Sequence, residues 1–230
     1  MPVQAANPKR FRRPVTFAPD PTSQDPGGPG TVIGAILAAM TSSGFTLFDT
    51  AIGRCGLAWG ENGIVGAALP GPSDDQIRRR FVERFPGAVE ASPPASLRPV
   101  IDGVMALMTG ARVDLSDAPL DLSATPPFHQ RVYAVARKIP PGQTMTYGEI
   151  AAALGEPRQA AQAVGEAMAR NPIPILMPCH RVLGANGKPG GFSAPGGVET
   201  KLKMLSIEGA KVGETPTLFD ALPLAVKPGQ

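Results

Sequence analysis

Sulfur and imidazole are scarce in this chain. Its 230 residues include two cysteines, Cys55 and Cys179, and two histidines, His129 and His180. A disulfide framework needs more cysteines at regular spacings, and a four-ligand zinc site would consume every Cys and His at unsuitable separations. No metal is therefore expected, and no motif in the chain calls for a cofactor. Aromatic residues make up only 5% of the chain, so its core must rest on Val, Ile, Leu and Met. The apolar run from Val32 to Met40 is shorter than the roughly 20 residues that span a bilayer. It also lies too far behind the basic Lys9 to Arg13 cluster to serve as a signal-peptide core. A membrane partner is excluded on this reading, and the cytoplasm is the expected location.

What is present is organised in two halves. The formal charge is +3 with a sequence pI of about 9.1, and it is unevenly divided. Residues 1–125 carry 11 basic and 12 acidic side chains, whereas residues 126–230 carry 11 and 7, so any phosphate backbone would meet the second half. Residues 1–44, rich in proline with a basic run, read as a poorly ordered extension, and residues 214–230 as a loose tail. Translation is expected to begin at Met40, just ahead of the first patterned segment.

Residues 45–124 read as an α+β domain. Asn62-Gly63 between two apolar runs signals a hairpin. Ser73 and Gln76 open a helix whose expected inner face is Ile77, Phe81, Val82 and Phe85. A second helix carries Leu97, Val100, Ile101, Val104, Met105 and Met108, and Val113 to Leu122 reads as one or two extended pieces. Trp59 is a core candidate. Cys55, next to Arg54, is expected to be half exposed and structural, since no base accompanies it.

Residues 125–213 read as mostly helical. Phe128 to Ala136 forms one helix, Thr146 with Glu149 caps a short second one through Leu154, and Arg158 to Arg170 forms a third after Pro157. Two short helices joined by a Gly-containing turn fit a helix-turn-helix, although the pattern alone favours an ordinary αα-hairpin. The alanine-rich third helix leaves little bulk and can approach another surface closely. A glycine-rich loop from Gly184 to Gly197 precedes a last helix, Val198 to Ile207, with Leu202 and Leu205 expected inward.

Between them lies Asn171 to Val182, N-P-I-P-I-L-M-P-C-H-R-V. Its prolines fix φ and lack N–H groups, so the stretch reads as a stiff extended rail that presents Cys179. A thiol with a pKa of about 8.5 is only about 3% ionised at pH 7, so a nucleophile here needs a base or cation, and His180 and Arg181 are adjacent. Sequence neighbours on an extended chain face opposite ways, however, and a small buried cysteine fits equally well.

The run Pro178-Cys179-His180-Arg181-Val182, with similarity extending from about Phe45 to Gly209, resembles the O6-alkylguanine-DNA alkyltransferases, or methylated-DNA protein-cysteine methyltransferases. The resemblance implies an α+β fold: a ribonuclease H-like small antiparallel sheet with helices, then a winged-helix-like helical domain with a helix-turn-helix. It implies irreversible, single-turnover transfer of an alkyl group from O6-alkylguanine, with O4-alkylthymine a second candidate, in double-stranded DNA to Cys179, by a monomer. His180 corresponds to the base acting through water, Glu208 to the carboxylate orienting it, and Tyr147 to the tyrosine that helps rotate the nucleotide. Asn171 corresponds to the asparagine tying the active-site turn, Met168 and Pro174 to pocket walls, Ser193 to the donor toward O6, and the Cys179 and Val182 carbonyls to acceptors for the guanine amino group.

Two positions depart from the family pattern. Gln162 stands where an arginine often enters the duplex, leaving Arg158 and Arg170 as the main cations near the recognition helix, and Phe192 replaces a common pocket tyrosine. The structural zinc of some members has no counterpart in this chain's Cys and His set. A non-catalytic lesion-binding relative is the principal alternative, and Cys179 argues against it because that class replaces the nucleophile. A thiol hydrolase and a transcription regulator are further readings.

Overall fold

The computed structural model describes residues 43–212. The expectations made for the basic extension, for a start at Met40 and for the tail after residue 212 lie outside the described residues.

The first half is a four-stranded sheet backed by helices. Strands β1 (Gly44–Thr50), β2 (Gly53–Gly60) and β3 (Gly63–Ala68) form an antiparallel meander, and the two-residue β4 (Val89–Glu90) adds to β1 in parallel, giving the order β3-β2-β1-β4. Gly63 closes the hairpin at φ +135°, and a Cβ there would come within 2.5 Å of the Pro119 carbonyl. Helix α1 (Asp74–Arg84) starts at Ser73, whose side chain accepts from the Gln76 N–H. Its buried residues are Ile77 and Phe81, whereas Val82, expected inward, is 53% exposed. Helix α2 (Arg98–Leu107) likewise buries Leu107 and leaves Met105 40% exposed. Both differences arise because each helix touches the sheet along a stripe narrower than its run of apolar residues.

The Val113 to Leu122 stretch is not a strand pair. It is irregular chain pinned to β3 at one bridge, Ile64 to Leu120, by the Ile64 N–H donating to Pro119 O at 2.8 Å and the Asp121 N–H to Ile64 O at 2.8 Å. Arg137 reaches in from the second half to the carbonyls of Ser116 and Ala118 and holds the stretch in place.

The second half packs α3 (Pro127–Ala136), α4 (Tyr147–Ala153) and α5 (Ala161–Ala169) around Val132, Tyr133, Ile150 and Val164. The predicted capping box is present: Thr146 Oγ1 accepts from the Glu149 N–H at 3.1 Å, and the Glu149 carboxylate accepts from the Thr146 N–H at 2.6 Å. Such a cap contributes about 1 kcal/mol, enough to matter for a seven-residue helix. A 3₁₀ turn, Arg158–Ala160, leads from Pro157 into α5. Tyr133, fully buried, donates its hydroxyl to Ala167 O at 2.8 Å and so fixes α5 on the core.

The two halves share interior. Ile173, Ile175 and Leu176 from the reactive stretch and Met204 from α6 (Gly197–Ile207) belong to the same apolar cluster as Leu57, Trp59, Ile64 and Met108. The Ala67 N–H donates to Pro172 O at 3.1 Å. The sheet is thus the anvil against which the reactive segment is set.

Candidate active site

Asn171 to Val182 is not the extended rail that its prolines suggest. After Asn171 the chain turns back on itself, with the Met177 N–H donating to Ile173 O at 2.8 Å and a bridge between Pro174 and Met177. Cys179, His180 and Arg181 then form one turn of 3₁₀ helix before the short strand β6 (Val182–Leu183), which pairs in parallel with β5 (Met145–Thr146). The Asn171 side chain supplies the partners that hold this turn. Its Nδ2 donates to Met177 O at 2.7 Å and its Oδ1 accepts from the Ile173 N–H at 2.9 Å. Within this cage Ile175 sits at φ +75°, a conformation that branched residues rarely adopt and that only surrounding contacts can hold.

The turn redistributes the neighbouring side chains. Cys179, 8% exposed, opens onto a pocket of about 390 Å³ whose walls include Tyr147, Gly165, Met168, Phe192 and Ser193. That volume is in the range of small-molecule sites. Ser193 hangs from the glycine-rich loop and donates to Ala169 O at 2.9 Å. Tyr147 opens α4 beside the thiol, and burial, followed by the proximity of Cys179, raises its pKa, so its hydroxyl keeps its proton. Asn171 and Pro174 meet Cys179 along an adjoining cleft. Arg158, Gln162 and Arg170 lie outside the cavity on exposed positions of the third helical segment, and Arg170 is paired with Glu166 at 2.7 Å.

Behind the thiol lies a buried ionic cluster. His180 Nε2 is 2.9 Å from Glu208 Oε1, and Arg181 donates to both Glu208 oxygens, Nε to Oε2 at 2.9 Å and Nη2 to Oε1 at 2.7 Å. Arg181 also donates to Ile139 O at 2.6 Å. It is therefore no cation for the thiol, contrary to the expectation from adjacency; its reach lets it pass the sulfur and clamp the carboxylate. Burial alone would raise the Glu208 carboxyl, but the hydrogen bonds from His180 and Arg181 prevail and hold it at about 2. Burial lowers the pKa of His180 despite Glu208, so the imidazole is neutral at pH 7. With an ionised acceptor at Nε2 the proton must reside there, which leaves Nδ1 as a lone-pair site with no hydrogen-bond partner in the protein.

Cys179 itself is raised by burial. The Asn171 side chain, Lys201 and the N–H groups of Cys179 and His180 act in the opposite direction. The resting side chain is thus a thiol that needs a base, in surroundings prepared to receive its anion.

Lys201 is the residue that the sequence reading missed. It is 1% exposed, donates Nζ to Val182 O at 2.6 Å, and sits 5.9 Å from the centre of the Phe192 ring. Burial lowers its pKa to about 8. The Val182 carbonyl expected to receive a guanine amino group therefore already accepts one hydrogen bond and has one lone pair left. Helical spacing held the clue: Lys201, Met204, Leu205 and Glu208 fall on one face of α6, and all four are buried. Favouring Leu202 and Leu205 by hydrophobicity overlooked the charged residue one position earlier.

Comparison with known proteins agrees with this geometry. Residues 127–210 match the family model described as 6-O-methylguanine DNA methyltransferase, DNA binding domain. The chain is 34% identical over 158 residues to the methylated-DNA–protein-cysteine methyltransferase of Methanothermobacter thermautotrophicus, covering 68% of this chain and 80% of that one. It is 42% identical over 127 residues to the Mycobacterium bovis protein of the same name, covering 55% and 74%. The crystal structure of Mycobacterium tuberculosis OGT in complex with DNA superimposes with a TM-score of 0.58 at 33% identity, covering 74% of this chain and 95% of that one. A mixed α+β fold with a small sheet, a reactive turn carrying Cys-His-Arg, and relatives that align over most of their length place this chain in the methylated-DNA–protein-cysteine methyltransferase family.

Proposed function

We propose that this chain repairs double-stranded DNA by transferring the alkyl group of O6-alkylguanine, once and irreversibly, to Cys179. The observation that carries the proposal is the orientation of His180: Nε2–H is committed to Glu208, and Nδ1 is the free base on the residue next to a thiol that opens onto a base-sized pocket.

His180 Nδ1 takes the thiol proton through a water molecule, and Glu208 stabilises the imidazolium that forms. The sulfur attacks the O6-alkyl carbon in line with the carbon–oxygen bond. As the S–C bond forms the C–O bond breaks, its electron pair stays with the guanine, and the ring takes up a proton donated from the Tyr147 side. Because the alkyl carbon is unreachable inside a paired duplex, the nucleotide must leave the stack, with Met168, Pro174 and Phe192 as walls and Ser193 and the Val182 carbonyl as polar contacts. Asn171 positions the turn, and Arg158, Gln162 and Arg170 meet the duplex through the helix-turn-helix.

The same reading divides the chain into a ribonuclease H-like half, 45–124, and a winged-helix-like half, 125–213, acting as a monomer in the cytoplasm without metal or cofactor. Among the described residues no helix is long and apolar enough to cross a membrane.

A quench series with a duplex bearing O6-methylguanine tests the reaction. One methyl group should move per protein molecule and then transfer should stop. Continued turnover in excess substrate would favour a hydrolase, and binding without transfer would favour the lesion-binding relative.

A further inference from the structure

The cavity at Cys179 has a second arm that reaches helix α1. A cleft of about 470 Å³ is lined by Cys179, Pro174 and Phe192 and by Arg80, Glu83 and Arg84 of helix α1. It shares Met168, Ala169, Cys179, Phe192 and Ser193 with the pocket described above, so the two are branches of one cavity that join beside the sulfur. Its wall combines the apolar Leu69, Phe81, Pro174 and Phe192 with the polar Asn171 and Ser193, and it carries two guanidinium groups against one carboxylate. Among the described residues none of Arg80, Glu83 and Arg84 enters an ion pair, whereas Arg78 on the same helix is held by both Asp75 and Glu90. Arg84 lies over the Phe85 ring at 5.5 Å, which steadies its guanidinium without neutralising it. A cleft that shares the acceptor sulfur, apolar side chains and unpaired cations in one wall matches a substituent with a flat apolar body and an anionic end.

We propose that this branch is a subsite for elongated O6 substituents that terminate in a carboxylate, such as a carboxybenzyl group, with Arg80 and Arg84 as the specificity-determining residues. The proposal rests on Cys179 being the alkyl acceptor. The benzylic carbon would take the place of the methyl carbon: the S–C bond forms there, the C–O6 bond breaks, and the electron pair leaves with guanine. The ring would then lie against the apolar side chains of the cleft while the guanidinium groups receive the carboxylate. An α1 residue would thus select a substrate whose base is held entirely by the second half of the chain.

The test uses the full chain and three duplexes identical except for the adduct: O6-(4-carboxybenzyl)guanine, O6-(4-aminomethylbenzyl)guanine and O6-methylguanine. Transfer is followed by intact mass, and each benzyl rate is divided by the methyl rate of the same protein. The carboxylate adduct should react roughly three- to tenfold faster than the ammonium adduct, the range expected of one or two partly exposed ion pairs. The Arg80→Glu/Arg84→Glu double variant should reverse that order, and Arg80→Lys/Arg84→Lys should restore it. Equal benzyl rates in the unaltered protein would overturn the proposal. So would a double variant that slows all three adducts alike, which would assign the arginines to the phosphate backbone. Transfer from none of the three would overturn the acceptor reading as well, whereas methyl transfer without charge discrimination overturns this subsite alone.

Discussion

The two free cysteines sit in opposite chemical settings although both are buried. Cys55 faces the interior of the sheet among apolar neighbours; burial pushes its thiol up to about 11, opposed by a 3.6 Å contact with Thr50 Oγ1. Cys179 is desolvated as well, but the Asn171 side chain, the Lys201 ammonium and two backbone N–H groups pull its pKa back down, and a cavity opens beside it. Burial therefore does not separate a structural cysteine from a reactive one. What separates them is whether the chain has arranged donors for the anion and space for an electrophile.

The sharpest way to break this comparison is to exchange the consequences of losing each thiol. Cys179→Ala should abolish alkyl transfer to the limit of detection, while Cys55→Ala should change the transfer rate less than about twofold and cost about 1 kcal/mol of stability, in the range of a small core truncation. Comparable losses of transfer in both variants would remove the distinction.

Removing the base should come next in size. His180→Ala should slow transfer by about 100-fold, the lower end of general-base contributions, and leave duplex affinity within about twofold, because the ring is fully buried and presents nothing to a duplex. Stopped-flow transfer and gel-shift titration separate the two. Equal loss of both would make His180 a binding residue.

The ionic cluster makes a prediction about acid. Glu208 titrates at about 2 in the folded chain, against 4.5 ordinarily. A carboxyl held down in this way adds stability at pH values above about 4.5 and loses it as pH falls toward 2, on the order of 3 kcal/mol in all. His180 is also held below its ordinary 6.5, so a first loss should begin as pH falls below that value. Glu208→Gln should lower stability at pH 7 by about 3 kcal/mol and flatten the limb between pH 4.5 and 2 in urea titrations. An unchanged acid limb would show that the cluster is not what the low carboxyl pKa stabilises.

The smallest effect concerns the duplex. Arg170 is paired with Glu166, and Gln162 is uncharged, so the third helical segment offers few free cations. The slope of log affinity against log salt should be shallow, about −2 for two neutralised phosphates, and Glu166→Ala should steepen it by roughly one unit by releasing Arg170.

Much of this was legible in the sequence because it depends on local chemistry. The Thr146–Glu149 box, the Asn62-Gly63 hairpin and the stop at Asn171 are settled by neighbours within a few residues. The Cys-His-Arg motif likewise located the site. What was not legible depends on long-range partners. Arg181 was assigned to the thiol because the two are close in sequence, yet its partner Glu208 lies 27 positions on. Lys201 was hidden because a lysine is by default a surface residue, and its partners, the Val182 carbonyl and the Phe192 ring, come from outside its own helix. The shape of the reactive stretch was misjudged for the same reason: its prolines argued for extension, while the Asn171 amide supplied the bonds that bend it.

The most direct measurement is peptide mass mapping of the folded chain after prolonged incubation with duplex carrying O6-methylguanine. The account predicts one added methyl group on the peptide containing Cys179, unmodified Cys55, and an equal amount of restored guanine in the DNA. A bare Cys179 in protein shown to be folded and bound to the lesion would contradict it.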